Sequence, residues 1–203
     1  MRIIILWVAL FSITFCSFAQ DRKWYHHVEG GILTYGPAPN KLGYSFRTIH
    51  GHQIYNDFNF GMGLGLEKYE VDKEDDHKAI PVFAQVIYNL PSTRKSRFFT
   101  AFDLGYAFNL NRNFEDNFQK GSYKGGILVS PQVGVKIPIG NFIESMYFSA
   151  GYKYQQFSKE RKYTSMIWGP QRGVNIQDDD VFQNYQTFEY NLSRLSVMLG
   201  FSF

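Results

Sequence analysis

The 203-residue chain has one cysteine, Cys16, so no intramolecular disulfide braces it. Beyond residue 20 it has no run of about 18 or more apolar residues, which excludes a membrane-crossing helix from that part of the chain. Charge of one sign is scarce: 21 Lys and Arg stand against 18 Asp and Glu, a net charge of +3. No basic stripe or nucleic-acid-binding motif is found, and nucleic acid is excluded as a partner class. Helical periodicity is missing throughout. Aromatic residues are plentiful, with 20 Phe and 14 Tyr, a composition that favours strands. The length suits one domain with a single core.

The first 19 residues read as a cleaved signal peptide, with residues 20–203 as the mature domain. Arg2 supplies a positive start, and Ile3 to Phe15 form an apolar run too short to span a bilayer. Ser17 and Ala19 then place small residues where a signal peptidase reads them, so cleavage is expected after Ala19. A lipoprotein signal built on Cys16 is the alternative, but Thr14 and Phe15 are poor substitutes for the small residues it needs. Cleavage removes the only cysteine.

What remains alternates with period two. Phe58, Phe60, Met62, Leu64 and Leu66 share one face, opposite Asn59, Gly61, Gly63, Gly65 and Glu67. Ile80, Val82, Ala84, Val86 and Tyr88 oppose Phe83, Gln85 and Asn89. The same holds for Phe98 to Phe108 against Ala101, Asp103 and Gly105, and for Ile127 to Ile137 against Ser130, Gln132, Gly134 and Lys136. Phe148 to Tyr154 alternate with Ser149, Gly151 and Lys153. Leu195, Val197, Leu199, Phe201 and Phe203 oppose Arg194, Ser196, Gly200 and Ser202. Two earlier segments, Trp24 to Tyr35 and Gly43 to Tyr55, read as strands with blurred faces. The expected fold is all-β, a closed antiparallel up-and-down barrel of about eight strands, because only a closed barrel satisfies strand backbone groups in lipid.

The connections follow a pattern of their own. The odd ones are expected at roughly 7, 9, 13 and 33 residues and the even ones at roughly 5 or 6, the rim asymmetry of membrane barrels. Pro131 interrupts one strand and removes a ladder hydrogen bond, for which a local bulge is the expected accommodation.

With these segments in place, the sequence resembles the small outer-membrane β-barrel family, similar in build to OmpX and the OmpA barrel domain. The runs that carry the resemblance are Gly61 to Tyr69, Ile80 to Phe83, Asp103 to Tyr106, Pro131 to Pro138, Gly151 to Tyr154 and Leu199 to Phe203. Leu199, Phe201 and Phe203 look like the C-terminal signal read by the barrel-assembly machinery. The resemblance implies a Gram-negative outer-membrane location, outer-membrane lipid and lipopolysaccharide as surroundings, and a monomer. The chain stops at Phe203, so the peptidoglycan-binding domain of full-length OmpA-like proteins, and anchoring to the cell wall, are not expected.

If apolar faces meet lipid, charged faces meet inside. Glu67, Asp103, Lys136, Lys153 and Arg194 are expected to form an inner ion-pair network, with Gln85 and Gln132 beside them; Glu29 and Arg47 are further candidates. An eight-stranded barrel has room only for its own side chains, so a plugged interior is expected rather than a pore. Gly61, Gly63 and Gly65 would relieve crowding there. The opposing reading is a soluble barrel decorated by these charges.

No catalytic, cofactor or metal site is expected. His50 and His52 share a strand face with the spacing of two metal ligands, without a third. His77 lies near Asp75 and Asp76, but no serine completes a Ser-His-acid set. The acidic clusters 72–76 and 178–180 read as solvated loop charge, since neither has calcium-loop spacing. Tyr69, Tyr88, Tyr106 and Tyr154 are candidates for interfacial girdles, with ordinary strand propensity as the alternative. The segment from Ser158 to Tyr190, with Tyr163, Trp168 and Tyr185, reads either as a surface loop contacting an unidentified extracellular ligand or as an extension of the sheet above the membrane.

Three functions compete on this reading. The first is a structural or surface-interaction protein of the outer membrane, without enzymatic activity. The second is a soluble lipocalin-like calyx around an apolar ligand, and the third an outer-membrane enzyme acting on lipid A, acyl chains or peptides.

Overall fold

Alternating residues become antiparallel strands because extended backbone sends successive side chains to opposite faces. The computed structural model describes residues 24–35, 42–72, 75–93, 95–110, 114–116, 119–140, 142–163 and 184–203. Its strands are β1 (Trp24–Thr34), β2 (Leu42–Tyr55), β3 (Phe58–Asp72), β4 (Asp75–Asn89) and β5 (Arg97–Asn109), followed by β6 (Phe114–Asp116), β7 (Gln119–Lys124), β8 (Gly126–Pro138), β9 (Ser145–Tyr163) and β10 (Asn184–Ser202). Among the described residues there is no helix.

The sheet runs β1-β2-β3-β4-β5-β8-β9-β10, and β10 pairs back on β1 to close it. That closing ladder runs from His27↔Ser202 to Thr34↔Leu195. Phe203 and His26 then exchange backbone hydrogen bonds of 2.9 and 3.1 Å. Eight strand positions make the wall, as expected. The short hairpin β6–β7 stands above it. β7 pairs with the far end of β9, from Gln119↔Tyr163 to Lys124↔Ser158, and so continues the position held lower down by β8. The third odd connection is therefore partly ordered sheet rather than a plain loop.

The orientation is the expected one. Met62, Leu64, Phe98, Phe102, Leu104, Ile127, Val133 and Val197 all point out and are exposed, whereas Arg47, Asp103 and Lys153 are buried within the cylinder. An apolar surface wrapped around a charged interior is stable only where hydrocarbon replaces water outside. It is also the reverse of what a ligand-holding calyx requires.

Glycines set how closely the interior packs. A Cβ on Gly51 would meet the Tyr25 ring at 2.3 Å, and one on Gly61 would meet the Tyr25 hydroxyl at 2.6 Å. The two neighbouring glycines thus leave the space that the phenol fills. Gly63 does the same for Phe83, and Gly65 for the stem of Arg47.

Three expectations change and one divided reading resolves. Pro131 causes no bulge: β5 pairs straight through it, Phe102↔Pro131. The β8–β9 ladder skips from Val129↔Tyr154 to Gln132↔Gly151 without changing register. Pro81 on β4 acts alike, paired with Ala107 on one side while the β3–β4 ladder passes from Leu64↔Val82 to Glu67↔Ala79. A missing N–H weakens one of the two flanking ladders, and the other holds the strand in line. The bulges lie at the rims instead, between Gln53 and Tyr55 and between Glu70 and Asp72.

Second, of the two readings of 158–190 its ends take the extension of the sheet: residues 158–163 and 184–190 are strand, paired from Ser158↔Glu189 to Tyr163↔Asn184. Tyr163 belongs to β9 and Tyr185 to β10, while Trp168 lies outside the described residues, as do 178–180. Third, β3 and β4 run on until Asp72 pairs with Asp75, so Asp72, Asp75 and Asp76 are strand residues. Most of the connection of about nine residues expected there is therefore strand. On the other rim, β2 turns into β3 through residues 56–57. The asymmetry is real but consists largely of strands projecting beyond the apolar band. Above lipid both faces of a strand meet water, so alternation fades while the backbone ladder continues. Fourth, Tyr69 is an interior residue and no part of a girdle, whereas Tyr88 and Tyr106 are exposed outside.

Candidate functional site

The charged interior is built by neighbouring strands that each place one or two polar side chains in the same cross-section. Arg47 from β2 is fully buried between Glu29 of β1 and Asp103 of β5. Its guanidinium forms ion pairs with both, the one to Asp103 at 2.7 Å. Asp103 also accepts hydrogen bonds from the Gln85 amide at 2.8 Å and the Gln132 amide at 2.6 Å. Ser149 donates to the Gln132 carbonyl at 3.2 Å, and the Tyr147 hydroxyl to Glu29 at 3.1 Å. The Arg47 guanidinium also lies 5.0 Å from the centre of the Phe83 ring. A buried carboxylate is tolerated because such donors replace the water it lost.

A second cluster lies further along the axis. Lys153 of β9 pairs with Glu67 of β3. Ser45 donates to the same carboxylate at 2.8 Å, and the Tyr69 hydroxyl sits between Glu67 and the Gln155 side-chain carbonyl. Towards the projecting strands, His77 is buried against Phe157, Tyr190 and Tyr123, with ring centres 5.6 to 5.9 Å apart. It stands inside the cylinder rather than on an exposed loop.

Of the five residues expected to form one network, Glu67 pairs with Lys153, and Asp103 anchors the other cluster with Arg47 and Glu29. Arg194 is buried near the projecting end, donating to the Glu70 backbone carbonyl at 2.9 Å and lying 5.2 Å over the Tyr35 ring. Lys136 stands at the opposite mouth, near Glu144 and Arg97. Arg194 and Lys136 thus occupy the two ends and not the central network. Glu29 and Arg47 prove central, although their strands read ambiguously. β1 carries His26, Gly30 and Trp24 on one face and Tyr25, His27 and Gly31 on the other, so composition alone does not choose between them. The interior tyrosines Tyr25, Tyr69 and Tyr147 were missed for the same reason. A phenol reads as apolar in a pattern, although its hydroxyl belongs in a polar interior.

His50 and His52 do share the outer face. The His50 ring lies 4.0 Å from that of His26, and His52 lies 5.0 Å from Trp24. Among the described residues no group of three or more His, Cys, Asp or Glu side chains is arranged to hold a metal ion. Leu199, Phe201 and Phe203 lie along the outer face of β10, where it closes on β1 through Gly30↔Leu199 and Val28↔Phe201.

Cross-linked side chains filling a narrow closed cylinder, with an apolar exterior, define a small membrane β-barrel with a plugged core. No family model and no curated protein sequence matches the chain. Among solved structures, the outer membrane protein OprG from Pseudomonas aeruginosa is similar with a TM-score of 0.55 at 8% identity, over 89% of this chain and 96% of that one. Neisserial surface protein A (NspA) matches with a TM-score of 0.49 at 14% identity, over 89% of this chain and 96% of the other. At 8% identity the likeness to OprG concerns the fold alone: the closed wall of eight strand positions is that of a small outer-membrane β-barrel.

Proposed function

We propose that the chain is an outer-membrane protein whose barrel is a sealed, non-catalytic scaffold and whose role is to hold the projecting sheet at the cell surface for contact with an extracellular partner. The observation that carries this reading is the filled axis. Arg47, Glu29, Asp103, Glu67 and Lys153 occupy the cross-section through which a solute would pass, while β3–β4, β6–β7 and β9–β10 run on beyond the apolar band. Lipopolysaccharide as the surrounding lipid is favoured by Lys68 and Lys78. They are cross-strand neighbours exposed on the outer wall one step above Leu66 and Ile80, where anionic headgroups would stand. Assembly by the barrel-assembly machinery is supported by the outward Leu199, Phe201 and Phe203 stripe on the closing strand.

The test combines location, topology and conductance. The protein should sediment with outer membranes, migrate faster unboiled than boiled on a gel, and begin at Gln20 by N-terminal sequencing. In the mature chain, which then lacks cysteine, Lys162→Cys should react with an impermeant maleimide on intact cells and Lys95→Cys only after permeabilisation. Planar bilayers holding the protein should show no steady channel. A stable conductance, or a soluble protein, would overturn the proposal.

A further inference from the structure

The two histidines that meet on the outer wall are not the pair that spacing along the chain suggests. His26 of β1 and His50 of β2 are cross-strand partners, with ring centres 4.0 Å apart and planes inclined by 36°. His26 exchanges both its backbone hydrogen bonds with Phe203 of β10, donating at 3.1 Å and accepting at 2.9 Å. The N–H and C=O of an extended residue point to the same neighbour, so His26 and His50 form a non-hydrogen-bonded pair. Cα atoms in such pairs approach to about 4.5 Å, and their side chains stand closest. His52, two positions on, turns to Trp24 instead.

The pair stands at the rim rather than in the middle of the wall. Phe203, level with His26, packs edge-on against Phe142 at 6.3 Å, in the connection between β8 and β9. Both histidines are half-buried. The Nε2 of His26 lies 2.9 Å from the Thr48 hydroxyl oxygen. With Nε2–H donating to that oxygen, the Nδ1 lone pair is left for a metal, and histidine ligands are commonly oriented by such a bond from their other nitrogen. Two imidazolium rings in this contact would set like charges opposite each other. That favours the neutral ring, the form that binds metal.

We propose that His26 and His50 chelate one divalent transition-metal ion, Cu(II) more tightly than Zn(II). Imidazole nitrogen suits both, and copper leads the affinity order of the divalent first-row metals. With metal–nitrogen bonds of about 2.0–2.1 Å, two imidazoles at neighbouring positions of one ion have ring centres about 4.5–5 Å apart. The pair therefore opens by an ångström or less, a small side-chain rotation. No third His, Cys, Asp or Glu side chain joins them among the described residues, and water holds the remaining positions of the ion. The ion bridges β1 and β2 beside the seam where β1 meets β10, so binding also stabilises the closed barrel. The site goes beyond the scaffold reading and does not rest on it, because binding in micelles is independent of any role at the cell surface.

The experiment titrates the refolded mature protein, in zwitterionic micelles at neutral pH, with copper(II) chloride and with zinc(II) chloride. Calorimetry should saturate at one ion per barrel, with copper the tighter. The electron paramagnetic resonance spectrum of the copper form should carry coupling to two imidazole nitrogens, altered by nitrogen-15 labelling of histidine. In NMR spectra of the unmodified protein, substoichiometric copper should broaden the signals of His26 and His50 most. Affinity should fall at least tenfold in His26→Gln and in His50→Gln, and less than twofold in His52→Gln. Each variant is checked for folding by its gel shift on boiling. Should the His26 and His50 variants fail to fold, the coupling and the broadening in the unmodified protein decide. Absence of saturation, tighter zinc, a spectrum without two imidazole nitrogens, or broadening centred elsewhere would overturn the proposal. So would unchanged affinity in a folded His26→Gln or His50→Gln, or a tenfold loss in His52→Gln.

Discussion

Arg47 and Asp103, 56 positions apart in sequence, meet at 2.7 Å across the lumen with both side chains fully buried. The contact ties β2 to β5, two strands that are not neighbours in the wall. A barrel of this width is thus cross-braced through its axis as well as closed around its circumference. Breaking such a brace from one side leaves carboxylates without a counter-charge in a dry interior.

Arg47→Met should therefore destabilise the folded barrel by about 3–5 kcal/mol, the usual penalty for orphaning one side of a buried ion pair. Reversible urea unfolding in micelles reads this directly. Neutralising the partners as well, in Arg47→Met/Glu29→Gln/Asp103→Asn, should recover most of the loss. If the triple variant is no more stable than the single one, the loss comes from packing and the brace is not electrostatic.

The outer wall makes the opposite demand. Leu64 is 55% exposed in mid-strand on β3, and Leu64→Arg should cost about 2–4 kcal/mol if that surface meets the bilayer midplane. Unfolding from lipid vesicles measures it. A neutral effect would mean that the band meets water.

Gly51 leaves the space occupied by Tyr25, with a ring carbon 2.3 Å from where a Cβ would stand. Gly51→Ala should lower stability by about 1–3 kcal/mol through overpacking. Combining it with Tyr25→Ala should give less than the sum of the two single losses, because the clash disappears with the ring. Additive losses would show that the ring and the glycine do not compete for space.

Above the apolar band, Lys124 of β7 donates to Glu160 of β9, and this hydrogen bond holds the Glu160 carboxyl below the usual carboxylate range. A depressed carboxylate contributes stability above its unfolded value and loses it as pH falls through the folded one. The β7–β9 contact should accordingly loosen in acid, weakly, since the pair is largely open to solvent. A carbon-13 titration of the Glu160 carboxyl should show a midpoint below that of a free glutamate. Lys124→Met should return it to the ordinary range, and an unchanged midpoint would remove Lys124 as the cause.

Much of this architecture was legible because lipid imposes a strict code. On β3, β5, β8, the first half of β9 and the last part of β10 the outer face must be apolar and the inner one tolerates Gly, Gln, Asp and Lys, so Glu67, Asp103 and Lys153 were placed inside from alternation alone. On β1 and β2 both faces mix aromatic, histidine and glycine, and the inward position of Glu29 and Arg47 came only with the β1–β10 and β1–β2 registers. The stretch from Ser158 to Tyr190 reads two ways in sequence for a related reason. Where both faces are wet, polarity stops reporting strand, although Ser158↔Glu189 and its neighbours are fully paired.

Side-chain period is a local property, and lipid outside a thin wall reads it residue by residue; residue order alone therefore specified strands, their number and the outward direction of most. Which charges meet is not local. Arg47 finds Glu29 and Asp103, and Lys153 finds Glu67, because closure and strand stagger bring distant positions to one height along the axis. That height exists only in the assembled cylinder, and with it arise the two interior clusters.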